Sequence, residues 1–260
     1  MKEELHNTVV TIDGHIARVE LNRPPVNALN KEFVAELTRV AADLAGRDSV
    51  WLVAVTSRQK VFCAGADLKE RAAMADADVL SVVGMIQGLA RAWGDIPQPV
   101  VMGIRGAALG GGLEFALTAD LLAASHDATL GLPEVSLGIL PAAGGTQRLA
   151  LRSSLGVARK WVLEAGQYSA MQALEDGVID YVFEAGSFAA HFEELVSRIA
   201  GNAPLSLRQA KKALLFASAR ILGEGFDAEL EAYRPLISTV DRREALKAFA
   251  EKRPPKWTAT

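Results

Sequence analysis

The sequence lacks the features that mark several large classes of protein. It contains a single cysteine, Cys63, so an internal disulfide and a metal site built only from cysteines are both excluded. No uninterrupted apolar run reaches about 18 residues, the length that a membrane-spanning helix needs. Residues 1–6 have no apolar segment of the kind found in a secretory signal. We therefore expect a soluble, cytoplasmic protein.

Positive charge is not in excess either. The chain has 28 Lys and Arg against 31 Asp and Glu, a formal net charge of −3. This balance gives no electrostatic reason to expect nucleic acid as the main partner. No metal site is predicted, because no metal-ligand spacing is found among the histidines, which are His6, His15, His126 and His191.

What the chain does have is an ordinary globular composition, with 50% apolar and 23% charged residues over 260 positions. Asp13-Gly14 predicts the turn of a hairpin over residues 8–22, and Asn30 is a plausible N-cap for an amphipathic helix. Strand and helix patterns then alternate, which favours crossover units and a largely parallel sheet. The predicted segments are strands at 50–55, 100–104 and 121–124 and helices near 31–45, 78–94 and 113–117.

The pattern changes near residues 201–204. Beyond this point we find no strand pattern, and helices are predicted over 205–222, 224–239 and 241–252. We therefore divide the chain into an α/β core at 1–200 and a helical module at 201–260. The apolar faces of that module lack a partner within their own pattern.

Two glycine-containing loops are the first candidates for a functional site. Residues 62–69 follow a buried strand and are mostly small, and residues 108–114 follow a strand and open a helix. The start of a helix presents unpaired N–H groups that suit a phosphate or a developing oxyanion. The other interpretation is close packing alone. Neither the phosphate loop nor the dinucleotide fingerprint is present.

Two carboxylates in apolar surroundings strengthen the first interpretation. Glu114 follows the glycine triplet, and Glu134 lies between Pro133 and Val135. A carboxylate in such a setting costs free energy unless it is paired or its pKa rises, so both are candidates for general acid–base chemistry. The alternatives are a first-turn acid that complements the helix dipole for Glu114, and an N-cap or solvated loop acid for Glu134.

Several segments in order resemble the crotonase superfamily, and specifically the enoyl-CoA hydratases. The matching segments are residues 21–29, 62–70, 108–114, 132–134 and 141–149. Within this family the chain is most similar to the methylglutaconyl-CoA hydratases, on residues 62–72 and 251–255. The resemblance implies an α/β spiral of ββα units with a C-terminal helical trimerisation module. It also implies a homo-oligomer, either a trimer or a dimer of trimers.

The resemblance also assigns catalytic roles. The backbone N–H groups of Ala66 and Gly111 would form an oxyanion hole for the thioester carbonyl. Glu114 would act as base on a water that attacks C3, and Glu134 would deliver the proton to C2. Ala142 stands where many hydratases have glycine, and its N–H can still hold the water if φ stays negative. Cys63 has a simpler interpretation as a small structural residue.

Coenzyme A, as part of the substrate, is the only cofactor-like group that the resemblance implies, and no prosthetic group is expected. The residues that would line its path are Val26, Ala64, Ala66, Asp67, Leu68 and Lys69. Phe249 and Lys252 match positions that reach the adenine and phosphates of a neighbouring subunit. Lys69 is equally a solvated loop lysine, and Phe249 is equally an aromatic on a helix face.

The implied reaction is reversible syn hydration of a 2-enoyl-CoA, with 3-methylglutaconyl-CoA and 3-hydroxy-3-methylglutaryl-CoA as the best substrate pair. That pair belongs to leucine breakdown or to a route that makes isovaleryl-CoA. Arg71 could meet the distal carboxylate of this substrate or be a solvated helix charge. The alternatives are a general short-chain enoyl-CoA hydratase and, more remotely, a protein that binds acyl-CoA or RNA without turnover. RNA binding is disfavoured because residues 31–45 offer only Lys31 and Arg39.

Overall fold

A computed structural model describes residues 1–216 and 218–258. The strands are β1 Lys2–Glu4, β2 Thr8–Asp13, β3 Ile16–Leu21, β4 Leu52–Ser57, β5 Val100–Ile104, β6 Ala107–Leu109, β7 Leu121–Ser125, β8 Thr129–Gly131, β9 Tyr168–Ser169 and β10 Tyr181–Phe183. A seven-stranded sheet has the order β1-β2-β3-β4-β5-β7-β10, and a three-stranded sheet has the order β6-β8-β9.

The helices connect and cover these sheets. They are α1 Lys31–Ala45, α2 Leu68–Ala72, α3 Asp76–Gly94, α4 Gly111–Ala116, α5 Gly145–Arg152, α6 Leu155–Glu164, α7 Ala170–Glu175, α8 Phe188–Ala200, α9 Pro204–Phe216, α10 Ala219–Tyr233 and α11 Val240–Ala250. Short 3₁₀ helices cover Glu134–Leu137 and Arg234–Leu236. Within the described residues, no helix is long and apolar enough to cross a membrane.

The predicted hairpin is confirmed. β2 and β3 pair antiparallel around Asp13-Gly14, with Thr8 opposite Leu21 and Asp13 opposite Ile16. Gly14 has φ +54°, which a residue without Cβ adopts at no steric cost. From β3 onward the large sheet is parallel through β4, β5, β7 and β10. The predicted α/β class with a largely parallel sheet is therefore confirmed.

The main core lies between the large sheet and the helices α1 and α3. Asn30 caps α1 as predicted, because its side chain accepts a hydrogen bond from the N–H of Phe33. Phe33 and Leu37 are fully buried, and so is Trp93 of α3, whose indole N–H donates to the carbonyl of Leu37 at 3.0 Å. This packing holds α1 and α3 against each other.

The C-terminal helices are present, but their boundaries differ from the predicted ones. The segment predicted as one helix over 205–222 is divided between α9 and α10, with position 217 outside the described residues. α10 then runs to Tyr233 and gives way to a 3₁₀ turn containing Pro235, where the sequence predicts one helix over 224–239. Proline ends the regular helix because it has no N–H to donate.

The helix α10 packs against the α/β core of its own chain. Phe226 and Tyr233 are almost fully buried. The side-chain amide of Gln87, in α3, donates to the carbonyl of Phe226 at 3.1 Å. α10 thereby brings side chains to the same region as α3 and the loops described next. The division of the chain at 200/201 stays a prediction.

Candidate active site

The two glycine-containing loops lie side by side. Single parallel bridges join Cys63 to Ala108 and Leu29 to Ala66. Gly65 has φ +90°, and a Cβ at this position would stand 2.7 Å from the carbonyl oxygen of Leu109 and 3.3 Å from the N of Gly111. Only glycine therefore allows the first loop to approach the start of α4 so closely.

This approach brings two backbone N–H groups together. A Cβ built on Gly111 would lie 3.8 Å from the N of Ala66, and both residues line one cavity. Neither N–H is paired with a backbone carbonyl in the described part of the chain. Two neighbouring free donors can share one acceptor oxygen, which is the arrangement that an oxyanion hole requires.

Glu114 projects from α4 toward the same cavity and is 4% exposed. Its Oε1 accepts hydrogen bonds from the N–H of Ala143 at 2.8 Å and of Gly145 at 2.9 Å. Burial, and secondly the charge of Glu134, raise the pKa of Glu114 well above its usual value. The two N–H donors oppose this rise and fix the carboxylate in place.

Glu134 opens the 3₁₀ helix Glu134–Leu137 and lines the same cavity as Glu114 and Gly110. A Cβ on Gly110 would lie 2.9 Å from the Oε1 of Glu134, so the glycine makes room for the carboxylate. Within the described residues, the buried Oε2 of Glu134 has no hydrogen-bond partner. Burial raises the pKa of Glu134 to about 7.

The two carboxylates therefore titrate as one coupled pair. Each raised pKa has burial as its largest cause, and holding two negative charges in one enclosed space is unfavourable. Near neutral pH we expect the pair to retain one proton. One carboxylate can then act as a base while the other acts as an acid, in a cavity of about 80 Å³.

The turn over residues 142–146 frames this cavity. Ala142 does not have a positive φ, which is the condition under which an alanine at this position can use its N–H to hold a water. Its carbonyl accepts a hydrogen bond from the side-chain amide of Gln87 at 2.8 Å. The N–H of Gly144 donates to Glu229 of α10 at 2.8 Å. The turn is therefore tied to α3, α4 and α10 together.

Arg71 lines the cavity as well. Its Nη1 donates to the hydroxyl of Tyr233 at 2.6 Å, and its Nε is buried without a hydrogen-bond partner among the described residues. The neighbouring lining is apolar and includes Val83, Ile86 and Leu140. A cation anchored by a buried tyrosine in such surroundings can bind an anionic group of a ligand.

Of the residues predicted to contact coenzyme A, Ala64, Ala66 and Leu68 line the cavity. The carbonyl of Val26 accepts a hydrogen bond from the N–H of Ala64 at 3.0 Å. Asp67 instead caps α2 through the N–H groups of Lys69 and Glu70 and pairs with Arg23 at 3.0 Å.

The other predicted coenzyme A contacts are exposed. Lys69 lies at the surface, and Phe249 and Lys252 are exposed at the end of α11, outside the cavity lining. Their contacts with coenzyme A stay predictions. The thiol of Cys63 is buried and donates to the carbonyl of Asn27, and burial raises its pKa to about 12.

Sequence reasoning missed Gln87, Glu229 and Tyr233. Glu229 had a usable signal, because it falls on the helical stripe formed by Phe226, Leu230 and Tyr233. Glu114 and Glu134 were selected because each is a carboxylate in apolar surroundings, and a carboxylate on an apolar helix stripe satisfies the same criterion. Tyr233 had no such signal, since a tyrosine on an apolar stripe is ordinary packing.

Comparison with known proteins gives consistent matches. Residues 11–260 match the family described as enoyl-CoA hydratase/isomerase. The chain is 34% identical over 251 residues to the 2,3-dehydroadipyl-CoA hydratase of Escherichia coli, covering 95% of this chain and 96% of that protein. It is 33% identical over 252 residues to the short-chain-enoyl-CoA hydratase of Clostridium acetobutylicum, covering 96% and 97%.

Solved structures agree with these matches. The crystal structure of an enoyl-CoA hydratase from Bacillus anthracis superposes with a TM-score of 0.80 at 36% sequence identity. The match covers 98% of this chain and 100% of that one.

Proposed function

Because the chain belongs to the enoyl-CoA hydratase/isomerase family of the crotonase superfamily, we propose that it adds water reversibly to the double bond of a 2-enoyl-CoA. We further propose that the preferred acyl group carries a distal carboxylate, with 3-methylglutaconyl-CoA as the best candidate. The observation that carries the proposal is the coupled pair of Glu114 and Glu134 beside the two free N–H groups of Ala66 and Gly111.

In the hydration direction the thioester carbonyl oxygen accepts hydrogen bonds from the N–H groups of both Ala66 and Gly111. These donors stabilise the enolate oxygen that develops as C3 is attacked, and one such donor typically contributes about 3–4 kcal/mol. Glu114 takes a proton from the water that adds to C3. Glu134, in its protonated form, gives a proton to C2, and dehydration reverses both transfers.

Burial raises the pKa of both acids, so the assignment of base and acid rests on the hydrogen bonds of Glu114. The N–H groups of Ala143 and Gly145 stabilise the charged form of Glu114, which is the form that a base needs. The pKa of about 7 allows Glu134 to carry a proton at neutral pH. Ala142 lines the cavity, and in this scheme its N–H orients the attacking water.

Arg71 supports the proposed acyl group. The Nε of Arg71 is buried and has no hydrogen-bond partner in the described residues, and the charge of Arg71 lowers the pKa of Glu134. A substrate carboxylate would supply the missing partner. A simple alkyl chain would leave the Nε of Arg71 without a partner, which costs free energy.

A general short-chain enoyl-CoA hydratase is the second candidate. The relatives from Escherichia coli and Clostridium acetobutylicum are named for a dicarboxylic and a short-chain substrate respectively, at nearly equal identity. Their names therefore favour neither acyl group. The cavity of about 80 Å³ also suits any short chain.

The test follows the loss of the enoyl thioester's ultraviolet absorbance on hydration. Glu114→Ala and Glu134→Ala are each expected to lower kcat by about 10²–10⁴, since each removes one proton-transfer group. Coenzyme A binding, measured separately by calorimetry, is expected to persist in both. Near-full turnover in either variant would contradict the two-carboxylate mechanism.

The acyl group is tested by comparing kcat/KM for 3-methylglutaconyl-CoA and crotonyl-CoA. We expect the former to be clearly preferred. A preference for crotonyl-CoA would leave the hydration chemistry in place and replace the proposed substrate by the short-chain alternative.

We also propose that the chain forms a trimer or a dimer of trimers through residues 201–260. α9 leaves Leu205, Leu214 and Phe216 more than 70% exposed, which favours burial against another copy. In such an assembly Phe249 and Lys252 would reach coenzyme A bound to a neighbour. Sedimentation velocity tests this, and a monomer at micromolar concentration would rule it out.

A further inference from the structure

The buried carboxylate of Glu229 is not used by the mechanism above. It lies on α10, is 3% exposed, and both of its oxygens have partners. One oxygen accepts from the N–H of Gly144 at 2.8 Å, and the other accepts from the hydroxyl of Thr146 at 2.5 Å. It therefore holds the turn 142–146 through Gly144 and Thr146.

The N–H groups along this turn alternate between the two acids. Ala143 and Gly145 donate to Glu114, whereas Gly144, between them, donates to Glu229. A displacement of Gly144 would move both donors that hold the carboxylate of Glu114. The turn thus connects an acid on α10 to the proposed base on α4.

The turn is closely packed at the two glycines whose N–H groups donate to Glu229 and Glu114. Gly144 has φ +93°, and a Cβ there would lie 3.0 Å from the ring of Phe226. A Cβ on Gly145 would lie 2.7 Å from the Oε1 of Glu114. The turn is therefore packed between α10 and Glu114, with space for glycine only.

We propose that Glu229 is a positioning residue, which holds the turn 142–146 so that its N–H groups fix Glu114 for proton transfer. This inference rests on the proposed function, because it takes Glu114 to be the base. Glu229 itself touches neither water nor substrate in this scheme. The helix α10 thereby helps to fix the geometry of the proposed catalytic base.

The charges around Glu229 also predict a pH effect. Its carboxylate raises the pKa of Glu114, and so does that of Glu134. The charge of Arg71 lowers the pKa of Glu134. The charge of the buried Arg148 guanidinium lowers the pKa of Glu229. Besides Glu114 and Glu229, the charges of Asp95 and Asp120 raise the pKa of Arg148. Removing the charge of Glu229 is expected to move the pH profile of kcat/KM to lower pH.

Glu229→Ala and Glu229→Gln separate position from charge. Both remove the negative charge, so both should shift the pH profile. Only glutamine can still accept from Gly144 and contact the hydroxyl of Thr146. We expect Glu229→Ala to lower kcat by roughly 10²-fold with little change in KM, as a displacement of about 1 Å does. Glu229→Gln should recover most of that loss.

Thr146→Val provides a second test that keeps Glu229 intact. It removes one of the two contacts, and we expect an intermediate loss of kcat that Thr146→Ser restores. Glu231→Gln, an exposed position on the same helix, is the matched control. Equal kcat in Glu229→Ala and wild type, or equal losses in the Ala and Gln variants, would overturn the inference.

Crystal structures of the variants judge the inference independently of turnover. In Glu229→Ala the hydrogen bonds from Ala143 and Gly145 to Glu114 should be lost or lengthened. If both bonds persist at their present lengths, the inference is wrong whatever the activity. If wild type hydrates no enoyl-CoA, the proposed function is wrong, and the structures still decide what Glu229 holds.

Discussion

At the scale of single residues, the proposed discrimination between acyl groups rests on Arg71. Its guanidinium is held by Tyr233 at one nitrogen and leaves Nε buried without a partner in the described residues. Charge-assisted hydrogen bonds contribute roughly twice what neutral ones do. The gain from a substrate carboxylate is therefore large enough to set a preference.

Arg71→Ala is expected to reduce kcat/KM for 3-methylglutaconyl-CoA by about tenfold to a hundredfold, from the loss of about 1.5–3 kcal/mol. Its effect on crotonyl-CoA should be smaller, because that substrate has no distal carboxylate and loses only the influence of Arg71 on the pKa of Glu134. Arg39→Ala, which removes an exposed cation on α1, is the control. Equal losses on both substrates would show that Arg71 has no role in acyl selection.

At the scale of the element, the start of α4 depends on glycine for its position. A Cβ on Gly112 would lie 2.3 Å from the carbonyl oxygen of Cys63 and 2.8 Å from its carbonyl carbon. These are backbone atoms of the loop that carries the N–H of Ala66. The helix and the loop therefore cannot separate without opening the space between the N–H groups of Ala66 and Gly111.

Gly112→Ala is expected to lower both stability and kcat, because the helix must move away from the loop. Gly84→Ala is the matched control, since a Cβ there meets nothing within 4 Å on an exposed face of α3. That change should stabilise the protein by about 0.5–1 kcal/mol with activity retained. Melting temperatures and kcat of the two variants give the comparison, and an active, stable Gly112→Ala would contradict the packing argument.

Local signals predicted the elements that depend on local interactions. The Asp13-Gly14 hairpin and the Asn30 cap of α1 are examples. The strands β6, β8 and β9 were missed, because segments of two or three residues are too short to show an alternating pattern. Their pairing is decided by contacts with segments distant in sequence.

In the candidate site, too, the sequence predicted only the residues that a local pattern identifies. Glu114 and Glu134 were found because each is an acid within a locally apolar segment. The sequence did not predict that Arg71, Tyr233 and Glu229 lie close to these two acids. That proximity depends on how α10 packs over α3 and α5. Periodicity shows that α10 is a helix but not which loop it covers.

At the scale of the whole molecule, the site opposes the stability of the fold at neutral pH. Glu114, Glu134 and Glu229 are all buried, and burial raises the pKa of each. A carboxyl group whose pKa is higher in the folded state binds more protons there than in the unfolded chain. Stability therefore falls as the pH rises between the unfolded and the folded pKa.

For Glu134 this interval runs from 4.5 to about 7. Glu134→Gln removes the titration, so the variant should gain melting temperature relative to wild type as the pH rises from 5 to 8. Well below pH 4.5 the group is protonated in both the folded and the unfolded chain, so its titration makes no contribution there. Thermal denaturation across this pH range measures the difference, with Glu231→Gln as an exposed control. A difference that does not vary with pH would mean that Glu134 has the same pKa in the folded and unfolded chains, and its suitability as an acid at neutral pH would be lost with it.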